Sequence, residues 1–172
     1  MKIKSLVINA VVAALYVAIT ASLAFTSFGA IQFRVAEMLN HLAVFNKKYI
    51  IGIVGGVLIS NLIFSPMVIY DLVFGVAHTL ISLLIMSGLT RRITNVWVKM
   101  SVNTIVFTIG SALIAWELYL ALQLPFWFSY LTVAIGELVV MGIGMPVMIY
   151  IDKKIHFNER IERYKKAKCI SI

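Results

Sequence analysis

Charge is what this chain has least of. Only 13% of its 172 residues are charged, while 62% are hydrophobic; a soluble domain is about a quarter charged. A fold clothed in solvated side chains is excluded, and an integral membrane protein is the class that remains. Cysteine occurs once, at Cys169, which leaves no disulfide framework and no cysteine-based metal site. The ending Cys169-Ile170-Ser171-Ile172 loosely resembles a prenylation box, yet an anchor adds nothing to a chain that already spans the membrane. Catalytic patterns are missing as well. The chain has no GxxxxGK[ST], no GxSxG, no HExxH and no HxxxH, so nucleotide hydrolysis, intramembrane proteolysis and a histidine metal site have no sequence basis. The reading is of a non-enzyme without cofactor or metal.

What is present is a succession of apolar runs. They predict an all-α integral membrane protein, a single membrane domain over 1–172 built as a bundle of six transmembrane helices. The helices are expected near 5–26, 30–46, 49–64, 67–89, 97–122 and 128–151, with a basic cytoplasmic tail at 152–172. The first apolar run is about 22 residues, longer than the ~7–15 of a signal-peptide core, and is read as a retained helix. Along it Ala10, Ala14, Ala18 and Ser22 recur every four residues. A stripe of small side chains lets another helix approach closely, either from within the bundle or from a partner. Gly52, Gly56 and Ser60 repeat the pattern on the third helix, where internal packing is expected.

The net charge of +8 reports orientation rather than nucleic acid, because the basic residues sit between and after the apolar runs. Lys2 and Lys4, Lys47 and Lys48, Arg91, Arg92 and Lys99, and the basic residues of the tail all fall on one side. By the positive-inside rule both termini are cytoplasmic. Arg34 alone falls on the other side. About twelve residues separate it from Lys47, which at 1.5 Å each cover roughly 18 Å of a ~30 Å core. Arg34 is therefore expected below the outer surface. In a helix over 30–46, Arg34, Glu37 and His41 share one face at i, i+3, i+7, with Asn40 beside them and an Arg34–Glu37 pair within reach.

The other intramembrane acids are Asp71, Glu117 and Glu137. Together with Arg34, Glu37 and Asn61 they belong to the outer half of their helices. His78 follows Asp71 by seven residues on the same face, with Gly75 opening space between them. A proton or ion path needs polar groups through the whole thickness, whereas a pocket open to the outside needs them on one side only. Trp116, Tyr119, Phe126 and Trp127 gather at the same level, as an interfacial aromatic belt or as a wall of the pocket. Four carboxylates against one arginine favour a ligand with a cationic or hydrogen-bond-donating group. Such a pocket in a chain with no engine suggests a binding subunit that takes its energy from partners. A self-contained channel or ion-coupled carrier is the alternative of another class.

Several blocks carry a family likeness: Ala13-Ala14-Leu15-Tyr16-Val17-Ala18, Ser27-Phe28-Gly29-Ala30-Ile31-Gln32-Phe33-Arg34-Val35-Ala36-Glu37, Asp71-Leu72-Val73-Phe74-Gly75, Glu117-Leu118-Tyr119, Leu124-Pro125-Phe126-Trp127 and Gly136-Glu137. In these the chain resembles the QueT family of substrate-binding (S) components of energy-coupling factor transporters. The resemblance implies an outer substrate pocket, and the residues expected to form it are Gln32, Arg34, Glu37, Asn61, Asp71, His78, Trp116, Glu117, Tyr119, Phe126, Trp127 and Glu137. It implies docking through Ala10, Ala14 and Ala18 to a shared transmembrane coupling subunit served by two cytoplasmic ATPases. It also implies a bacterial plasma membrane and a queuosine precursor, a 7-deazaguanine, as the small-molecule substrate. Cobalamin stands as the alternative, since aromatic and apolar outer loops can line a wide pocket.

Overall fold

The computed structural model describes residues 3–24 and 33–162. Gln32 and Phe28, with the rest of the stretch before Phe33, lie outside the described residues, as does the tail beyond Glu162. Among the described residues all regular structure is helical. The helices are α1 (Ile3–Ser22), α2 (Val35–Phe45), α3 (Lys47–Phe64), α4 (Val68–Leu89), α5 (Val96–Leu122), α6 (Phe126–Ile155) and α7 (Phe157–Glu162). Five of them, α1 and α3 to α6, are long and apolar enough to cross a membrane, and α2 is a shorter apolar helix. Exposed side chains such as Leu6, Ile63, Leu84, Ile109 and Ile143 cover the outside of the bundle in hydrocarbon, as lipid rather than water requires.

Helix α1 packs along α3 through a line of mixed polarity. Ser5, Asn9, Val12, Tyr16 and Thr20 are its buried residues, and the facing residues of α3 are small. Gly52 N–H donates to Asn9 Oδ1 at 2.9 Å, and Gly52, Gly56 and Ser60 are buried. The opposite small-residue stripe has a different fate. Ala10, Ala14, Ala18 and Ser22 are exposed, so no other helix of the described residues covers them.

Helix α2 is the hub, packed against α6, α1, α3 and α5. From Ala36 to Val44 every residue except Met38 is buried. Its first seven residues, Val35–His41, form a 3₁₀-helix, and only Leu42–Phe45 is α-helical. The tighter winding changes which side chains share a face, because three residues per turn align i with i+3 and turn i+7 away. Asn40 accordingly sits over Glu37 and bonds to it, while His41 faces α6 and its Nε2 contacts the Met141 carbonyl at 2.9 Å. The single face of Arg34, Glu37 and His41 expected for an α-helix does not form. A carbonyl only accepts, so His41 is the Nε2–H tautomer, and its Nδ1 is left to accept from Asn103 at 3.3 Å.

Two other helices depart from regular α geometry near the polar end. Helix α4 passes after one α-helical turn, Val68–Tyr70, into a π-helical segment, Asp71–Gly75, a form that concentrates at functional sites. Helix α5 is interrupted at Ser111, between Val96–Gly110 and Ala112–Leu122, where the Ser111 hydroxyl donates to the Thr108 carbonyl at 2.6 Å. The apolar core below joins these elements through Ile53, Val57, Leu83, Met100, Phe107 and Met141.

The α1–α3 contact yields a direct test. A Cβ at Gly52 would sit 2.6 Å from the Asn9 carbonyl oxygen and one at Gly56 would sit 2.6 Å from Tyr16 Cβ, whereas nothing lies within 4 Å at Gly55. Gly52→Ala and Gly56→Ala are expected to destabilise the purified protein by about 1–3 kcal/mol each. Gly55→Ala, one position from Gly56 on the same helix, should be neutral or stabilising through helix propensity. Thermal melts in detergent decide, and equal melting points for the three variants would contradict the packing.

Candidate functional site

The site is assembled at the end of the bundle opposite the basic residues, where three of the elements leave α-helical geometry. Arg34 lies just before α2 with φ −83 and ψ 82, and this extended turn sends its guanidinium across the bundle to α4. The ion pair that results is with Asp71, at 2.7 Å, the two side chains being 10% and 1% exposed. The expected Arg34–Glu37 pair is thus replaced by one 37 residues long in sequence. Gly75 makes room for it, because a Cβ there would lie 2.7 Å from Asn61 Nδ2 and 3.5 Å from an Arg34 nitrogen.

Asp71 is held from every side. Ser65 Oγ donates to its second carboxylate oxygen at 2.5 Å and accepts from Met67 N–H at 2.8 Å. Asn61 Nδ2 donates to the Asp71 carbonyl at 2.7 Å, fixing the π-segment to α3. Glu37 is held as well: the Tyr16 hydroxyl donates to Oε1 at 2.7 Å, and Asn40 donates to Oε2.

Glu117 and Glu137 are different. Both are buried, at 1% and 7% exposure, but both Glu117 oxygens and Glu137 Oε2 have no hydrogen-bond partner, nor does the buried Ser129 hydroxyl. Glu117 approaches Asp71 and Arg34 closely enough to interact with them electrostatically, without a hydrogen bond of good geometry to Asp71. Glu137 interacts in the same way with Glu37 and Arg34. Among the described residues, then, one cation faces four carboxylates, and the two on α5 and α6 are unsatisfied. Buried polar atoms without partners cost of order 1–3 kcal/mol each, more when charged, so the cluster can accept donors that a ligand brings.

Of the residues expected at the site, the structure brings together Arg34, Glu37, Asn61, Asp71, Glu117 and Glu137. His78 lies beside them, within electrostatic reach of Glu37 and Arg34. Its Nε2 is engaged by the Phe107 carbonyl at 3.2 Å and its ring stacks edge-on with Phe107. The aromatic residues go elsewhere. Glu117 points inward, but Trp116 and Tyr119 are exposed, and Trp127 is 73% exposed. Their rings stack on one another around Phe126, which lies parallel to Tyr130 at 6.2 Å and edge-on to Trp116 and Trp127. Gln32 lies outside the described residues. Among the described residues no group of three or more His, Cys, Asp or Glu is placed to hold a metal ion.

Sequence reasoning passed over Tyr16, Ser65 and Ser129 as site residues. Tyr16 carried a usable signal, since it lies on the same face as Asn9 and Thr20 in an otherwise apolar helix, opposite the Gly56 of α3. Ser65 carried one too, as the hydroxyl before Pro66 in a turn six residues from Asp71. Ser129 offered none, because serine is unremarkable in an apolar helix.

Coupling between the two ends of the ion pair can be measured. Arg34→Ala strands Asp71 at depth and is expected to cost about 3–5 kcal/mol of stability. In double-mutant cycles, Arg34 with Asp71 should show a coupling of about 1–3 kcal/mol, larger than Arg34 with Glu37. A stronger coupling to Glu37 would contradict the pairing.

Comparison with known proteins agrees with this architecture. The family model described as "QueT transporter" matches residues 6–153. The chain is 37% identical over 167 residues to a protein of Lactococcus lactis subsp. cremoris (strain MG1363), the "Queuosine precursor transporter QueT", covering 91% of this chain and 97% of that protein. No solved structure matches. Five helices able to cross a membrane and a match spanning nearly all of them describe a multi-pass membrane protein. The chain belongs to the QueT transporter family.

Proposed function

We propose that the chain is the substrate-binding (S) component of an energy-coupling factor importer in a bacterial plasma membrane, and that its substrate is a queuosine precursor, a 7-deazaguanine. The substrate class rests on the similarity to the Lactococcus lactis queuosine precursor transporter. The observation that carries the binding role is the cluster of four buried carboxylates around Arg34, two of them lacking partners. A 7-deazaguanine offers ring and exocyclic N–H donors, which match a site whose unsatisfied atoms are almost all acceptors. Arg34 and Asp71 form the rigid floor, Glu117 and Glu137 receive the ligand, and Glu37, Asn61 and His78 support them. Trp116, Tyr119, Phe126 and Trp127 form the aromatic rim at the outer interface.

In this reading α2 is a sixth, short crossing element and both chain ends lie on the cytoplasmic side, in line with the basic residues. Energy comes from outside the chain, through a shared transmembrane coupling subunit and two cytoplasmic ATPases. The exposed stripe of Ala10, Ala14 and Ala18 suits close approach of the coupling subunit, since in lipid helices associate by packing of small residues rather than by hydrophobic burial.

Two experiments separate binding from coupling. Glu117→Gln and Glu137→Gln are each expected to weaken ligand binding by about 10- to 100-fold, the loss of one charge-assisted hydrogen bond, with the fold intact. Unchanged affinity in both would remove them from the site. Replacing Ala14 and Ala18 together by Leu is expected to preserve affinity in the isolated chain while abolishing assembly and ATP-dependent uptake. Full uptake by this chain alone in liposomes, driven by an ion gradient and indifferent to ATP, would identify a self-contained carrier and sink the proposal.

A further inference from the structure

At the basic end of the bundle the surface is cut by a groove of about 490 Å³, within the size range of ligand-binding clefts. Helices α1, α2, α6 and α7 form its walls, with Tyr49 of α3. The walls are carbon: Val7, Val11 and Leu15 of α1 are about half exposed there, with Leu39, Met148 and Ile151 opposite. The Tyr49 hydroxyl, at the groove's inner end, is already spent on the Phe157 carbonyl at 2.9 Å.

Two features of the groove specify an occupant. The first is its length. From Lys4 to Leu15 it follows α1 for eleven residues, about 16 Å at 1.5 Å per residue, which is half of a ~30 Å hydrocarbon core and so the depth of one leaflet. The second is where its charge lies. Its charged lining residues are Lys4 and Arg160, both at the basic end. Arg160 is exposed and commits its Nε to the Ile155 carbonyl at 3.2 Å. Of the acids nearby, Glu162 pairs with Lys48 at 3.5 Å and Asp152 accepts from the Phe157 N–H at 2.9 Å, while Glu159 adjoins Arg160 on α7.

We propose that this groove is a lipid site: one acyl chain of an anionic phospholipid from the leaflet on the basic side lies along α1, with its phosphate between Lys4 and Arg160. A half-membrane apolar channel closed by two cations has the form of such a lipid, an apolar tail ending in a negative headgroup. The occupied site ties α7 to α1 and fills the surface that α1 presents beside its alanine stripe. It does not depend on what the protein transports.

The test uses the purified full chain in mild detergent, titrated by native mass spectrometry with phosphatidylglycerol and with phosphatidylcholine of the same acyl chains. The first phosphatidylglycerol is expected to bind about 30-fold more tightly, the factor for two basic side chains at a headgroup. Lys4→Gln with Arg160→Gln should bring it down to the phosphatidylcholine level, whereas Lys153→Gln with Lys154→Gln, two cations outside the groove, should leave the preference intact. Val11→Trp, which fills the groove without touching a charge, should weaken both lipids by at least about tenfold. Equal binding of the two lipids, equal losses in the two double variants, or lipid binding indifferent to Val11→Trp would each overturn the proposal. So would a groove that takes neither lipid and becomes protected only when a protein partner assembles on α1.

Discussion

The Arg34–Asp71 ion pair is the constraint on which the polar half of this molecule depends. A guanidinium and a carboxylate at low exposure attract strongly, but removing both from water is expensive, and the arrangement survives only when their remaining donors and acceptors are satisfied. Ser65 and Asn61 do that for the Asp71 residue, one at the side chain and one at the backbone. The π-segment that begins at Asp71 and the absent side chain of Gly75 are the backbone adjustments that let the pair close. Arg34 is in turn held out of helical geometry so that it can reach. One interaction therefore ties the start of α2 to α4 and α3, and the carboxylates of α5 and α6 are arranged around it.

The short 3₁₀ start of α2 connects this polar end to the rest of the bundle. Its tighter winding stacks Asn40 on Glu37 and turns His41 toward Met141 and Asn103, leaving only Asn40 Oδ1 among this helix's buried side-chain polar atoms without a partner. Tyr16 then joins α1 to the same network through Glu37. The helix that contacts the site on one face thus carries the exposed alanine stripe on another.

Much of this was legible beforehand, and the parts that were not have identifiable physical reasons. Apolar run lengths and the placement of Lys and Arg located the helices, because backbone groups in lipid must be satisfied within each segment. The depth of Glu37, Asp71, Glu117 and Glu137 along their helices placed them at one end. The partner of Arg34 was not legible. An i, i+3 argument presumes that the helix already includes Arg34, whereas Arg34 lies before it with non-helical backbone angles. The outward turn of Trp116 and Tyr119 follows from burying Glu117 on α5, since residues one and two positions away cannot share its face. Tyr16 was hidden by reading α1 only for its small residues.

The most direct measurement is the identity of the small molecule that remains with the chain through purification, read by mass spectrometry and absorbance of the denatured extract. A 7-deazaguanine, present in the unmodified protein and depleted when Glu117 and Glu137 are both changed to Gln, is the predicted result. A corrinoid, recognisable by its absorption of visible light, would keep the binding role and refute the substrate. Failure of the purified chain to retain or bind any 7-deazaguanine, with the four carboxylates intact, would contradict the assignment of the cluster around Arg34 as the site of a queuosine precursor.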